Sequence, residues 1–154
     1  MPAVPTDLAA AETRLLPLRN ANGAPIVAAR TLRALRVIAE ALFATARGPA
    51  APERLDWLEL ELEDFLAHAG ARTRFVLGLA VLAVCVLAPL GVLRFVPLRR
   101  LRLADRIHAL RRLESSKFSA PLFAVKALLS LLYYEHPDAA REIGFDGECQ
   151  RRPS

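Results

Sequence analysis

The side chains best suited to bond-making chemistry here are three histidines, two cysteines and one short acidic stretch. His68, His108 and His136 fall on three separate segments, without the close spacing from which a zinc site is built. Cys85 sits inside an apolar run and reads as a small apolar residue. Together with Cys149 it makes a pair too small for a disulfide scaffold or a cysteine-based zinc site. Glu59, Glu61, Glu63 and Asp64 read as the solvated face of a helix rather than as an acid–base pair. The seven glycines form neither G-x-G-x-x-G nor a P-loop, so no phosphate cradle is expected. The expectation is a chain with no catalytic residue, no metal site and no cofactor of its own.

What the sequence does offer is the physical chemistry of an interface. Phe75 to Leu93 carries no charge and no Asn, Gln, Ser or Thr. As a helix it would reach about 28 Å at the usual rise, close to the roughly 30 Å hydrocarbon core of a bilayer. Phe75, Leu79, Leu82, Val86, Leu90 and Leu93 are the expected membrane-embedded positions. Arg72 and Arg74 precede the run and Arg94, Arg99 and Arg100 follow it, flanks whose guanidinium groups can reach the headgroups. The competing reading is the central helix of a bundle, apolar all round.

Charge is distributed to match. The chain carries a net +5, but residues 94–117 alone hold 8 basic against 2 acidic side chains. Arg94, Arg99, Arg100 and Arg102 are the candidates for contact with a membrane surface. No recognition motif and no interleaved aromatic residues favour nucleic acid over lipid in this stretch. Seven Lys and Arg follow the run within 20 residues, against two before it. A single span would therefore leave the C-terminal part in the cytoplasm. It would also require moving about 70 N-terminal residues across the membrane without a signal peptide, since no basic segment precedes an apolar one at the start. A re-entrant or interfacial placement avoids that step.

The elements that must position these groups are helices. The chain has 154 residues and a mean hydropathy of +0.28. It contains 28 Leu and 28 Ala against 10 Val and 4 Ile, a balance of helix formers over strand formers. The expected fold is an all-α bundle of about five helices in one domain over 30–147, with a flexible arm over 1–29 and a tail over 148–154. Leu32, Leu35, Ile38 and Leu42 share a face of a helix over 30–46, closed by Gly48-Pro49. Leu55, Leu58, Leu62 and Phe65 give the next its apolar face, from Pro52 to near Gly70. Leu103, Ile107, Leu110 and Leu113 mark an amphipathic helix beyond Pro97. Residues 119–134 form a last helix with Ser119 as cap and Lys126 as its one charge, ended by His136-Pro137.

The C-terminal third combines Leu113-Glu114-Ser115-Ser116, an apolar helix bearing Lys126, Tyr133-Tyr134-x-His136-Pro137 and Ile143-Gly144-Phe145-Asp146-Gly147. This resembles the small non-catalytic region ahead of the flavin domain in long-chain fatty alcohol oxidases of the glucose–methanol–choline superfamily. It is also similar to the separate gluconate 2-dehydrogenase subunit 3-type subunits found in bacteria. Thr31-Leu32-Arg33-Ala34-Leu35 and Ala41-Leu42-Phe43 resemble the opening helix of that region, with Ala44 where the family has proline. The resemblance implies an accessory subunit of a flavin-dependent alcohol or sugar dehydrogenase, with FAD in the partner and none in this chain. It makes Tyr133, Tyr134, Pro137, Ile143, Gly144, Phe145 and Gly147 the candidate docking residues. The expected location is a bacterial inner membrane, or alternatively a soluble cytoplasmic state. The alternative function is a stand-alone membrane-associated helical interaction protein.

Overall fold

The structure, a computed structural model, describes residues 25–46 and 48–144. Among them are six α-helices and no strand. They are α1 (Ala29–Leu42), α2 (Pro52–His68), α3 (Ala71–Gly91), α4 (Leu103–Glu114), α5 (Ala120–Tyr133) and α6 (Pro137–Glu142). A single 3-10 turn, Leu98–Arg100, separates α3 from α4. The expected tail, and most of the expected arm, lie outside the described residues. Val27 is buried in the core, so packing begins ahead of residue 30.

The core follows the leucine spacing. Leu32, Leu35 and Ile38 on α1 face Leu55, Leu58, Leu62 and Leu66 on α2. Leu66 takes the position expected of Phe65, which stands exposed. Counting 4-4 from Leu58 keeps the stripe on one side of the helix, whereas Phe65 has rotated toward solvent. Long helix α3 contributes Val81, Val84 and Ala88 and packs most against α4 and α5. Leu110 and Leu113 of α4, with Leu122, Val125, Leu129 and Leu132 of α5, complete the interior.

Several boundaries differ from expectation for local reasons. Helix α1 stops at Leu42, not Ala46. Phe43 turns out of the helix to stack on Tyr133, with ring centroids 3.9 Å apart. The chain then closes through reciprocal Thr45 and Gly48 backbone hydrogen bonds of 2.8 and 3.1 Å. Gly48 has φ +132°, a conformation side-chain-bearing residues rarely adopt. Ser119 precedes α5 with αR backbone angles and makes no capping hydrogen bond. His136-Pro137 does not simply end α5. Pro137 opens α6, and the His136 ring nitrogen Nδ1 accepts from the Asp138 N–H at 3.2 Å. That extra helix raises the count to six.

The apolar helix also ends early, at Gly91 rather than Leu93. The Leu93 N–H donates to the Leu90 carbonyl at 3.0 Å and the Arg94 N–H to the Pro89 carbonyl at 2.9 Å. This is the double bond pattern of a Schellman cap. Its left-handed position, usually glycine, is Leu93 at φ 55°. Leu93→Gly removes the Cβ clash and should stabilise the fold by about 0.5–1 kcal/mol, read as a higher midpoint in denaturant titration.

Candidate functional site

Helix α3 is apolar on every side, but only one side is covered. Phe75, Leu79, Leu82, Val86 and Leu90 repeat at 4-3-4-4 and all stand exposed, with Phe75 at 66% and Leu82 at 59%. These are the helical members of the stripe expected to meet lipid. The opposite side holds Val81, Val84 and Ala88 in the core. Of the most apolar 18-residue window, 28% is buried. A central bundle helix would be covered for most of its length. Among the described residues α3 is the one helix long and apolar enough to cross a membrane.

The stripe continues past the cap. Leu93 is 84% exposed and Phe95 87%, with Val96 beside them. Helix α5 presents Phe123 and Leu131 to the outside as well, and Phe118 stands exposed just before it. Exposed apolar side chains this large and this numerous make a candidate contact surface.

The arginines around α3 divide into two kinds. Arg74 does not reach outward. Its Nη1 donates to the carbonyls of Leu66 at 3.2 Å and Ala69 at 2.6 Å, closing the C-terminus of α2. Arg106 is partly buried, its side chain 12% exposed, donating to Glu40 at 2.6 Å and to the Val37 carbonyl at 3.3 Å. Arg99, Arg100 and Arg102 stand exposed with no ion pair among the described residues. Arg94 lies 3.9 Å from Asp105, a loose pairing. Arg99, Arg100 and Arg102 of the expected surface set are thus free to meet anions, whereas Arg94 shares its charge with Asp105 and Arg106 is a structural cation that ties α4 to α1. Glu40→Ala removes the carboxylate from that cation, leaves it the Val37 and Leu101 carbonyls, and should cost about 1–2 kcal/mol, measured by chemical denaturation. Arg99→Ala should lie within about 0.5 kcal/mol of the parent.

The expected docking residues serve in part to hold the C-terminal segment down. Tyr133 is buried, stacked on Phe43 and edge-on to Tyr134 at 5.4 Å. His136 meets Trp57 edge-to-face at 5.1 Å. Arg54 and Glu142 form a bidentate pair, both contacts 2.7 Å, joining α2 to α6. The hydrogen bonds that Arg54 donates to Glu142, with a further one to Tyr133, push the Arg54 pKa up, so the clamp keeps its charge. Tyr134, Pro137, Ile143 and Gly144 remain exposed, whereas Phe145 and Gly147 lie outside the described residues. Sequence reasoning had no signal for the Arg54–Glu142 pair, whose partners are 88 positions apart.

Among the described residues no group of three His, Cys, Asp or Glu side chains is placed to hold a metal ion. The side-chain geometry is thus that of an apolar face with free cations at one end. No protein-family model, no curated protein and no solved structure matches the chain.

Proposed function

We propose that this chain is a membrane-associating helical accessory module that rests on the bilayer through the outer face of α3. The observation that carries the reading is the unbroken exposed stripe from Phe75 to Leu90 on a helix whose other face is buried. Half-buried apolar side chains of this size still offer roughly 1 kcal/mol each on transfer out of water. Arg99, Arg100 and Arg102 at the stripe's end add attraction to anionic lipid.

The packing supports an interfacial placement over a lone span. Val81, Val84 and Ala88 would have to leave the core for α3 to cross by itself. Crossing together with its neighbours would carry the Arg106–Glu40 and Arg36–Asp56 pairs into hydrocarbon, where charge is costly. An interfacial placement on the cytoplasmic leaflet also needs no translocation of the N-terminal residues. Vesicle flotation tests the reading: the chain should float with liposomes and be released by alkaline carbonate. Failure to float removes membrane association. Retention after carbonate replaces the interfacial placement with a span.

The resemblance in the C-terminal third supplies the partner class. In this reading the module serves a glucose–methanol–choline flavoprotein dehydrogenase or oxidase, which carries the FAD and the chemistry. Tyr134, Pro137 and Ile143, the exposed members of the expected set, supply its docking surface. Co-purification is the test. Absence of flavin-bearing protein from every preparation leaves a stand-alone membrane module.

A further inference from the structure

A hollow of about 680 Å³ opens where the last turns of α3 and α4 meet the turn into α5. Leu87, Leu90 and Phe118 line one part of it, and His108, Arg111 and Arg112 another. Its size falls within the range of small-molecule sites. No carboxylate lines it. The nearest acid on the same helix end, Glu114, is taken by Lys126 at 2.6 Å. Arg112 is held in place by its Nε, which donates to the Gly91 carbonyl at 3.0 Å. That bond leaves the outer guanidinium nitrogens uncommitted, and Arg111 has no ion pair, among the described residues. The two serine hydroxyls at the rim donate inward, Ser115 to the Arg112 carbonyl at 3.1 Å and Ser116 to the Leu113 carbonyl at 2.8 Å. They build the turn and leave anion contact to the arginines.

Leu90 belongs both to this hollow and to the exposed stripe of α3. An occupant therefore needs an anionic head for two guanidinium groups and an apolar tail that can leave along the stripe. We infer that the hollow binds one anionic phospholipid, its phosphate between Arg111 and Arg112 and its acyl chain over Leu87, Leu90 and Phe118. Guanidinium forks match phosphate oxygens in charge and geometry. The second hollow, about 600 Å³ beside the N-terminal half of α3, differs on this point. Its Arg74 is spent on the end of α2, which leaves Arg30 as a single cation there and not a pair. The inference rests on the membrane reading above and makes it lipid-selective.

The test uses dihexanoyl-phosphatidylglycerol, dihexanoyl-phosphatidylcholine and inorganic phosphate, each below any micelle concentration, titrated into the full chain by calorimetry. Phosphatidylglycerol should bind about tenfold tighter than either of the others, because inorganic phosphate lacks the acyl chains and the choline cation of phosphatidylcholine neutralises the head and opposes the two guanidinium groups. Arg111→Gln, an exposed position, should weaken that binding about tenfold with an unchanged melting curve. Arg112→Gln should weaken binding to the same extent, and Arg33→Gln, an exposed change on α1 away from the hollow, should change nothing. Equal binding of the two lipids overturns the inference, as does an equal loss in Arg33→Gln, the mark of general electrostatics. Flotation on pure phosphatidylcholine vesicles is scored separately. Flotation without short-chain selectivity defeats the inference alone, and selectivity without flotation defeats the membrane reading alone.

Discussion

Replacing Leu79 and Leu82 together by glutamate should abolish vesicle binding and leave the helical fold intact. Both side chains are more than half exposed, so the folded protein loses little packing when they go. Their remaining apolar surface is what a bilayer would cover, worth roughly 1 kcal/mol for each. Each introduced carboxylate would add the cost of bringing a charge to the hydrocarbon boundary. A combined loss of about 3 kcal/mol or more lowers the binding constant by on the order of 100-fold. Circular dichroism and thermal melting of the double variant should match the parent, because surface changes of this kind usually stay within about 0.5 kcal/mol. Flotation should fall to the level of a soluble control. Unchanged flotation would mean that the stripe is not the membrane contact.

The stripe was the most legible feature of the sequence. A helix with a charge-free run offers every face as apolar. Flanking arginines then suggest where the ends lie, and the 4-3-4-4 spacing from Phe75 to Leu90 identifies five residues that share a side. The all-α fold was legible for the same reason, since leucine spacing alone aligned Leu35 with Ile38 and Leu58 with Leu62 inside. What spacing could not give was the choice of covered face. Val81 and Val84 are as apolar as Leu82, and only the fit against α4 and α5 decides between them. The cations were equally ambiguous in sequence. Arg74, Arg99 and Arg106 are identical side chains near one apolar run, yet one closes α2, one is free and one is paired with Glu40. Such roles depend on contacts between distant segments, as in the Arg106–Glu40 pair 66 positions apart. The Tyr133-Tyr134-x-His136-Pro137 motif stood out for its aromatic content. Packing uses Tyr133 and His136 mostly within the fold, against Phe43 and Trp57.

Val84→Asp, on the far side of the same helix, should have the opposite consequence from the Leu79 and Leu82 changes. Val84 is fully buried, packed where α3 meets the rest of the bundle. An aspartate there has no buried polar partner to meet, since the core among the described residues contains no polar or charged side chain. Leaving it unpaired, charged or neutral, costs on the order of 4 kcal/mol. A domain stabilised by about 5–15 kcal/mol loses a large share of that margin, so the cooperative melting transition should drop sharply or vanish. Val84→Ala provides the measurable step, with an expected loss of roughly 2 kcal/mol from lost contacts and the cavity left behind. Leu82→Ala, one face away, should cost under about 0.5 kcal/mol. The contrast discriminates the placements of α3. In a helix crossing lipid alone, positions 82 and 84 would be equivalent in environment, and both aspartates would act on membrane insertion instead of on folding in water. A bundle resting on the surface predicts a sharp division between opposite faces of one helix: Val84 changes read out in the melting curve, and Leu82 changes read out in vesicle binding. Equal effects of Leu82→Asp and Val84→Asp on the melting curve would require α3 to be covered all round, and the exposed stripe would lose its role.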